Sequence, residues 1–243
     1  MEKYFITKKE SNDLYRSLKF LHDTFVKNGV TYFLAFGTLL GAIRHQGIIP
    51  HDDDGDICVL KKDVKKLRKL IPYFKTHGYT LEEGDTDDDG EPASCKTKKG
   101  AECTWFFQGT KSYSLGIDIF IVEPSKDKKR YIYSDPYWQT AEFGGGVTCY
   151  FDTDQLFPLL PARFGNFFMY VPHNSIHHLN RCYGPDWNSK STVLYNHREG
   201  KWVNSKMHKM KAGEFLTIKP PKDTCDGKIP DVVCGDRRSK YVF

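Results

Sequence analysis

Apolar residues recur at Leu14, Leu18, Leu21 and Phe25, three and four positions apart, which places them on one face of a helix from about Lys9 to Lys27. Asn28-Gly29 supplies its stop. The period then changes. Thr31–Phe36 is a short, nearly continuous apolar run of the kind that forms a buried strand, broken by Gly37-Thr38, and Leu39–His45 reads as a short helix. Past the Pro50 turn, Asp56–Leu60 reads as a second strand. Lys62–Lys75 reads as a further helix, with Val64, Leu67, Leu70 and Ile71 on one side. From Gly78 onward the segments shorten: Tyr79–Leu81, Cys103–Phe107, Ser114–Val122 and Tyr131–Ser134 have strand character between turns rich in Gly, Asp and Lys. Segments at Leu156–Leu160 and Phe164–Val171 precede a helix over Ser175–Tyr183, closed by Gly184-Pro185. This order predicts an α/β fold, a mixed sheet flanked by helices. Residues 1–218 are expected to form one domain and 219–243, rich in Pro, Lys, Asp and Gly, an irregular C-terminal tail across its surface.

Composition narrows the class without choosing a function. The 243 residues are 14% aromatic and 28% charged, which describes a globular chain able to bury a core, neither disordered nor fibrous. The net charge of +5 is small, and the basic residues are interspersed with acids, so nucleic acid is not an expected partner. No run approaches the roughly 18 apolar residues of a membrane span, and Met1-Glu-Lys-Tyr-Phe-Ile lacks a signal peptide's apolar stretch, so the chain as given reads as cytoplasmic. Seven cysteines without a Cys-x-x-Cys pair fit neither a zinc ribbon nor a disulfide framework, and most are expected to be reduced. Cys95/Cys103 and Cys225/Cys234 are the two pairs close enough in sequence to close a small loop. Nothing in these residues fixes an oligomeric state.

The chemistry concentrates in His51-Asp-Asp-Asp-Gly-Asp-Ile-Cys-Val59, where four carboxylates run into an apolar strand. Alternate strand residues share a face, so Asp54 and Asp56 project together while Ile57 and Val59 help fill the interior. Two carboxylates side by side repel unless a cation lies between them, and Mg²⁺ or Mn²⁺ is the natural occupant. Upstream, strand, Gly37-Thr38, helix is an arrangement that points backbone N–H groups and a helix dipole at a phosphate, and Arg44 and His45 lie further along the same helix. Gly-Thr alone carries little weight; its combination with Asp-x-Asp carries the argument. A third acid is expected on a neighbouring strand, and Asp118, the lone charge in Leu115-Gly-Ile-Asp-Ile-Phe120, offers one.

The run Phe36-Gly-Thr-Leu-Leu-Gly-Ala-Ile-Arg-His-Gln-Gly-Ile-Ile-Pro-His-Asp-Asp-Asp-Gly-Asp-Ile57 resembles the signature of the LicD/fukutin phosphotransferases. Leu156-Phe-Pro-Leu159, Val171-Pro-His-Asn174 and Leu179-Asn-Arg-Cys-Tyr-Gly-Pro-Asp-Trp187 resemble that family's second block, so the similarity spans roughly Tyr32 to Trp187. The resemblance implies a nucleotidyltransferase-like, polymerase-beta-type fold. It also implies transfer of a phosphorylated alcohol, such as phosphocholine or ribitol phosphate, from a CDP-activated donor to a glycan. By position it makes Asp54, Asp56 and Asp118 the metal ligands and catalytic acids, with Asp118 also a candidate base. Gly37, Thr38 and Arg44 fall to the donor phosphate. Nucleotidyl transfer to a sugar phosphate, or a non-catalytic glycan- or nucleotide-binding role, would use the same cleft. His51 stands where the family usually has Trp, and reads as an exposed turn histidine. Relatives in animals work in the secretory pathway behind a membrane anchor, and bacterial ones in the cytoplasm.

Three other features read as structural. Asp85-Thr-Asp-Asp-Asp-Gly90 imitates half of a calcium loop but has Lys96 at the position that needs Glu. His173, His177 and His178 suit polar and capping roles. Gly144-Gly-Gly146 lacks the Gly-Lys-Ser/Thr of a phosphate loop.

Overall fold

The computed structural model describes residues 4–84, 99–109, 116–140, 142–143, 147–148, 150–191, 195–196, 201–203 and 206–225. Helix α1 (Lys8–Lys27) opens with a reciprocal cap: the Thr7 hydroxyl accepts from the Glu10 N–H, and the Glu10 carboxylate accepts from the Thr7 N–H. Its apolar stripe, Leu14, Leu18, Leu21 and Phe25, is fully buried, as the spacing predicts. Strand β1 (Tyr32–Leu34) leads into helix α2 (Phe36–His45), then β2 (Gly55–Leu60), a 3₁₀ turn, and α3 (Val64–Thr76). The strands β3 (Tyr79–Glu83), β4 (Trp105–Gly109), β5 (Ile117–Pro124) and β6 (Arg130–Tyr133) follow, and β7 (Phe151–Asp152) completes the main sheet. A hairpin of β8 (Leu160–Phe164) and β9 (Phe167–Val171) precedes α4 (Ser175–Tyr183). The apolar run 164–171 is thus split by the Gly165-Asn166 turn.

The seven-stranded sheet has the order β1-β2-β5-β4-β3, with β6 on β5 and β7 on β6. Within it β2 and β5 run parallel and the other pairs antiparallel, so the sheet is mixed. One apolar cluster joins one sheet face to α1, α3 and the β8–β9 hairpin through Leu18, Phe25, Ile57, Phe74, Trp105, Phe107 and Ile119. A second, with Phe33, Phe36, Cys58, Phe120, Tyr133, Phe151 and Cys182, fills part of the opposite face. The chain is therefore an α/β fold with a mixed sheet and flanking helices.

Beyond α4 the described segments are short and are tied back by side chains. Arg44 Nη1 donates to the Trp187 and Lys190 carbonyls, and His45 Nε2 donates to the Glu214 carbonyl. The Tyr15 hydroxyl donates to Ile218 O and accepts from the Ile48 N–H. These bonds hold the described residues around Trp187, Lys190, Glu214 and Ile218 against α1 and α2, and Lys190–Ser191 pairs with His208–Lys209 in a separate two-stranded sheet. Cys58, Cys182 and Cys225 are not disulfide-bonded, so no Cys225–Cys234 disulfide is formed. Cys103, one of the cysteines set apart from the mostly reduced set, is disulfide-bonded. Cys95 and Cys234 lie outside the described residues, as do Asp85–Gly90 and Gly144–Gly146.

Candidate active site

The site begins with a strained residue. Phe36, first in α2, has φ 38°, in the left-handed region that costs a non-glycine residue about 1–2 kcal/mol. Ring packing holds it there, against Phe120 edge-on at 4.9 Å and Tyr133 stacked at 5.9 Å. The helix therefore starts before Gly37-Thr38, not after it, and both residues lie in its first turn.

That first turn is bound to β2. The Gly37 N–H donates to Asp56 Oδ2 at 3.1 Å, and the Thr38 hydroxyl accepts from the Asp56 N–H at 2.8 Å. The Ala35 N–H donates to Asp56 O at 3.0 Å. A helix N-terminus favours negative charge, and here that charge is the Asp56 carboxylate. The Asp52 carboxylate presses on the same turn: a Cβ at Gly37 would lie 2.7 Å from its Oδ2, so only glycine fits without displacing it.

Parallel pairing of β2 with β5 sets Asp56 directly beside Asp118, and Gly55 N–H donates to Gly116 O at 3.0 Å just ahead of them. Asp54, Asp56 and Asp118 each bring a carboxylate oxygen within 4.8 Å of the others'. The sequence-based triad is thus one cluster in space. Asp56 is buried, and burial first, then the charges of Asp54, Asp52 and Asp118, push its carboxyl well above the usual range. Burial, and then the charge of Asp56, likewise raises the buried Cys58 thiol. All-oxygen donors with unbalanced negative charge suit a hard divalent cation.

The remaining expected residues sit less simply. Arg44 is pulled down to about 10, mainly by burial against the partly compensating charge of Asp52, and it donates to the carbonyls of residues 187 and 190. Gly37 and Thr38 direct their bonds to Asp56, which local sequence could not show. His51 is not an exposed turn residue. Burial, then the Arg44 charge, lowers it to about 4; Nε2 lies 3.2 Å from Ser191 Oγ, and buried Nδ1 has no hydrogen-bond partner. On α4, Asn174 caps the helix by accepting from the His177 N–H, His177 lies 3.6 Å from Asp152, and His178 stacks on Phe151 at 4.2 Å. Those histidines belong to a wall formed with β7. Two participants carried no sequence signal: the strained Phe36, and Asp52 as the wedge against Gly37.

Comparison with known proteins gives the same region. The sequence profile described as LicD/FKTN/FKRP, nucleotidyltransferase domain, matches residues 29–174. An uncharacterized protein of Rickettsia typhi is 33% identical over 196 residues, covering 81% of this chain and 53% of that protein. One from Rickettsia prowazekii is 34% identical over 201 residues, covering 81% and 62%. The lipopolysaccharide cholinephosphotransferase LicD of Haemophilus influenzae is 29% identical over 127 residues, 48% of this chain and 44% of its own. The chain thus spans between half and two thirds of the Rickettsia relatives. Among solved structures, the lincosamide antibiotic adenylyltransferase LnuA with lincomycin bound aligns with a TM-score of 0.38 at 17% identity, over 69% of this chain and 81% of that one.

Proposed function

Since the chain belongs to the LicD/FKTN/FKRP family of nucleotidyltransferase domains, we propose that it is a metal-dependent phosphotransferase. It moves a phosphorylated alcohol, phosphocholine- or ribitol-phosphate-like, from a CDP-activated donor to a glycan hydroxyl. The observation that carries this reading is the convergence of Asp54, Asp56 and Asp118 within 4.8 Å at the N-terminus of α2. The name of the Haemophilus relative, a cholinephosphotransferase, supports the same reaction class.

Asp54, Asp56 and Asp118 would hold Mg²⁺ or Mn²⁺, which supplies Lewis-acid charge to the phosphoryl oxygens. The protein's own part is positioning. Gly37 and Thr38 fix Asp56 from both its carboxylate and its N–H, and the α2 N-terminus offers positive potential to the donor phosphate lying over it. Arg44, behind Asp52, holds the 187–190 segment against the helix and adds positive charge near that phosphate. The acceptor oxygen attacks phosphorus in line, the bond to CMP breaks, and the hydroxyl proton passes to Asp118, which is less buried than Asp56. No helix among the described residues is long and apolar enough to cross a membrane.

Thermal stability with Mg²⁺ or Mn²⁺ against CDP-choline, CDP-ribitol, CDP, CTP, UDP-sugars and ATP tests the reading. Selective, metal-dependent stabilisation by CDP compounds, lost in Asp54→Ala, is expected. Stabilisation by CTP or ATP with none by CDP-alcohols would favour nucleotidyl transfer instead. No metal-dependent binding at all would leave a non-catalytic role.

A further inference from the structure

The open face of the sheet carries one large apolar side chain that the chemistry above does not use. Phe106 on β4 is 38% exposed, whereas its strand neighbours Trp105 and Phe107 are core residues at 1% and 0%. Its register is informative. Phe106 lies opposite Asp118 of β5 on one side and opposite Glu82 of β3 on the other, and Asp118 lies opposite Asp56. Directly opposed residues project to the same face, so one row runs Asp56, Asp118, Phe106, Glu82 across four strands. Glu82 is exposed.

Phe106 is also seated. A Cβ at Gly116 would lie 2.0 Å from the Phe106 ring, so the ring covers the glycine two residues ahead of Asp118 and any larger residue would displace it. A single exposed phenylalanine is ordinary on a protein surface. This one is fixed over a glycine beside the acidic cluster and has a further carboxylate on its far side.

We propose that Phe106, seated on Gly116 and flanked by Glu82, contacts the alcohol carried on the transferred phosphate and selects a quaternary ammonium over a polyol. The proposal rests on the phosphotransferase reading. With the phosphoryl group at Asp56 and Asp118, the ring lies one strand away, about 4.8 Å along the sheet. A trimethylammonium joined to the phosphate through one oxygen and two carbons spans about that step. The face of a phenyl ring attracts such a cation, and Glu82 adds opposite charge beyond it. A polyol would find no hydrogen-bond partner on the ring, and the hydroxyls laid against it would lose water there with only Glu82 beyond it to accept a bond. The cytidine base is separated from the transferred phosphate by a second phosphate and a ribose, so it lies further from this row.

Calorimetric titration of the full chain in Mg²⁺ tests this with four probes: CDP, CDP-choline, CDP-ribitol and the CDP ester of 3,3-dimethylbutanol, the uncharged carbon analogue of choline. Wild type should bind CDP-choline more tightly than either other ester. Phe106→Leu should weaken CDP-choline about ten- to thirtyfold while leaving CDP unchanged, Phe106→Tyr should retain binding, and Glu82→Gln should cost CDP-choline a few-fold. Melting curves for each variant separate loss of binding from loss of fold. Equal loss for CDP would mean that the ring stacks on the base; equal loss for the carbon analogue would mean plain apolar contact. Either result, or no loss, overturns the assignment. If wild type binds none of the CDP compounds in Mg²⁺, the phosphotransferase reading itself fails, and this assignment with it.

Discussion

Replacing Asp56 with asparagine removes a charge from the most crowded point of the acidic cluster while keeping an oxygen to accept the Gly37 N–H bond. Asp54 and Asp118 each place a carboxylate oxygen within 4.8 Å. At an effective dielectric of about 20, a like-charge pair at that distance costs roughly 3 kcal/mol. Asp56→Asn removes the share of this repulsion that falls on Asp56, so the expected gain in EDTA at pH 8 is about 2 kcal/mol, or roughly 4–8 °C in Tm for a chain of this size. The pH dependence has a definite sign. The folded pKa of Asp56 lies above its ordinary value of 3.8, so the folded state binds more protons than the unfolded one. Metal-free wild type therefore loses stability as pH rises from below 3.8 through the raised folded value, and the advantage of the variant grows along the same interval. Saturating Mg²⁺ reverses the order: wild type gains about 2.7 kcal/mol at a hundredfold excess over Kd, and the variant gains little. Differential scanning fluorimetry at pH 5 and 8, with EDTA or Mg²⁺, reads all four corners. A variant less stable than wild type in EDTA that keeps the full Mg²⁺ gain would refute the reasoning.

Three further outcomes follow from particular contacts. Thr38→Val leaves the buried Asp56 N–H without its acceptor and should cost about 1–3 kcal/mol in urea unfolding, with most of the loss recovered in Thr38→Ser. Tyr15→Phe should cost a similar amount, about 1–3 kcal/mol, because the Ile48 N–H loses its acceptor and Ile218 O its donor; an unchanged urea midpoint would count against it. His45 is held neutral, lowered to about 3 mainly by burial and then by Arg44, so the unfolded state takes up its proton first as pH falls below 6.5. Stability should drop by about 2 kcal/mol from this group between pH 6.5 and 4.5, and His45→Gln should flatten that limb of a urea series.

The acidic cluster was legible because two strong local patterns coincide in it. Asp54 and Asp56 alternate into an apolar strand, and Asp118 is the lone charge in another, so a charge in such a run needs a reason. The helix α1 was legible for a similar reason: its Leu14 to Phe25 stripe and its Asn28-Gly29 stop are contained within a few turns of chain, whereas its Thr7 cap is seen only in the structure. Arg44 shows the opposite case. Its position on α2 faces a phosphate plausibly in sequence, but its guanidinium meets carbonyls 143 and 146 residues away, which no local pattern encodes. His51 looked exposed because its neighbours are polar, yet the chain around Ser191 packs over it.

The sequence by itself determined the period of α1 and α3, the Asn28-Gly29 stop of α1, and the acids that must be gathered, since propensity, capping and alternation act within a few residues. Tertiary structure decided the rest. Parallel register puts Asp56 against Asp118, ring packing holds Phe36 at φ 38°, and that turn brings the Gly37 N–H onto a carboxylate instead of leaving it open. The same register sets Phe106 beside Asp118. Pairing register is fixed by how both faces of the sheet fill, and a slip of one residue would send every one of these side chains to the opposite face.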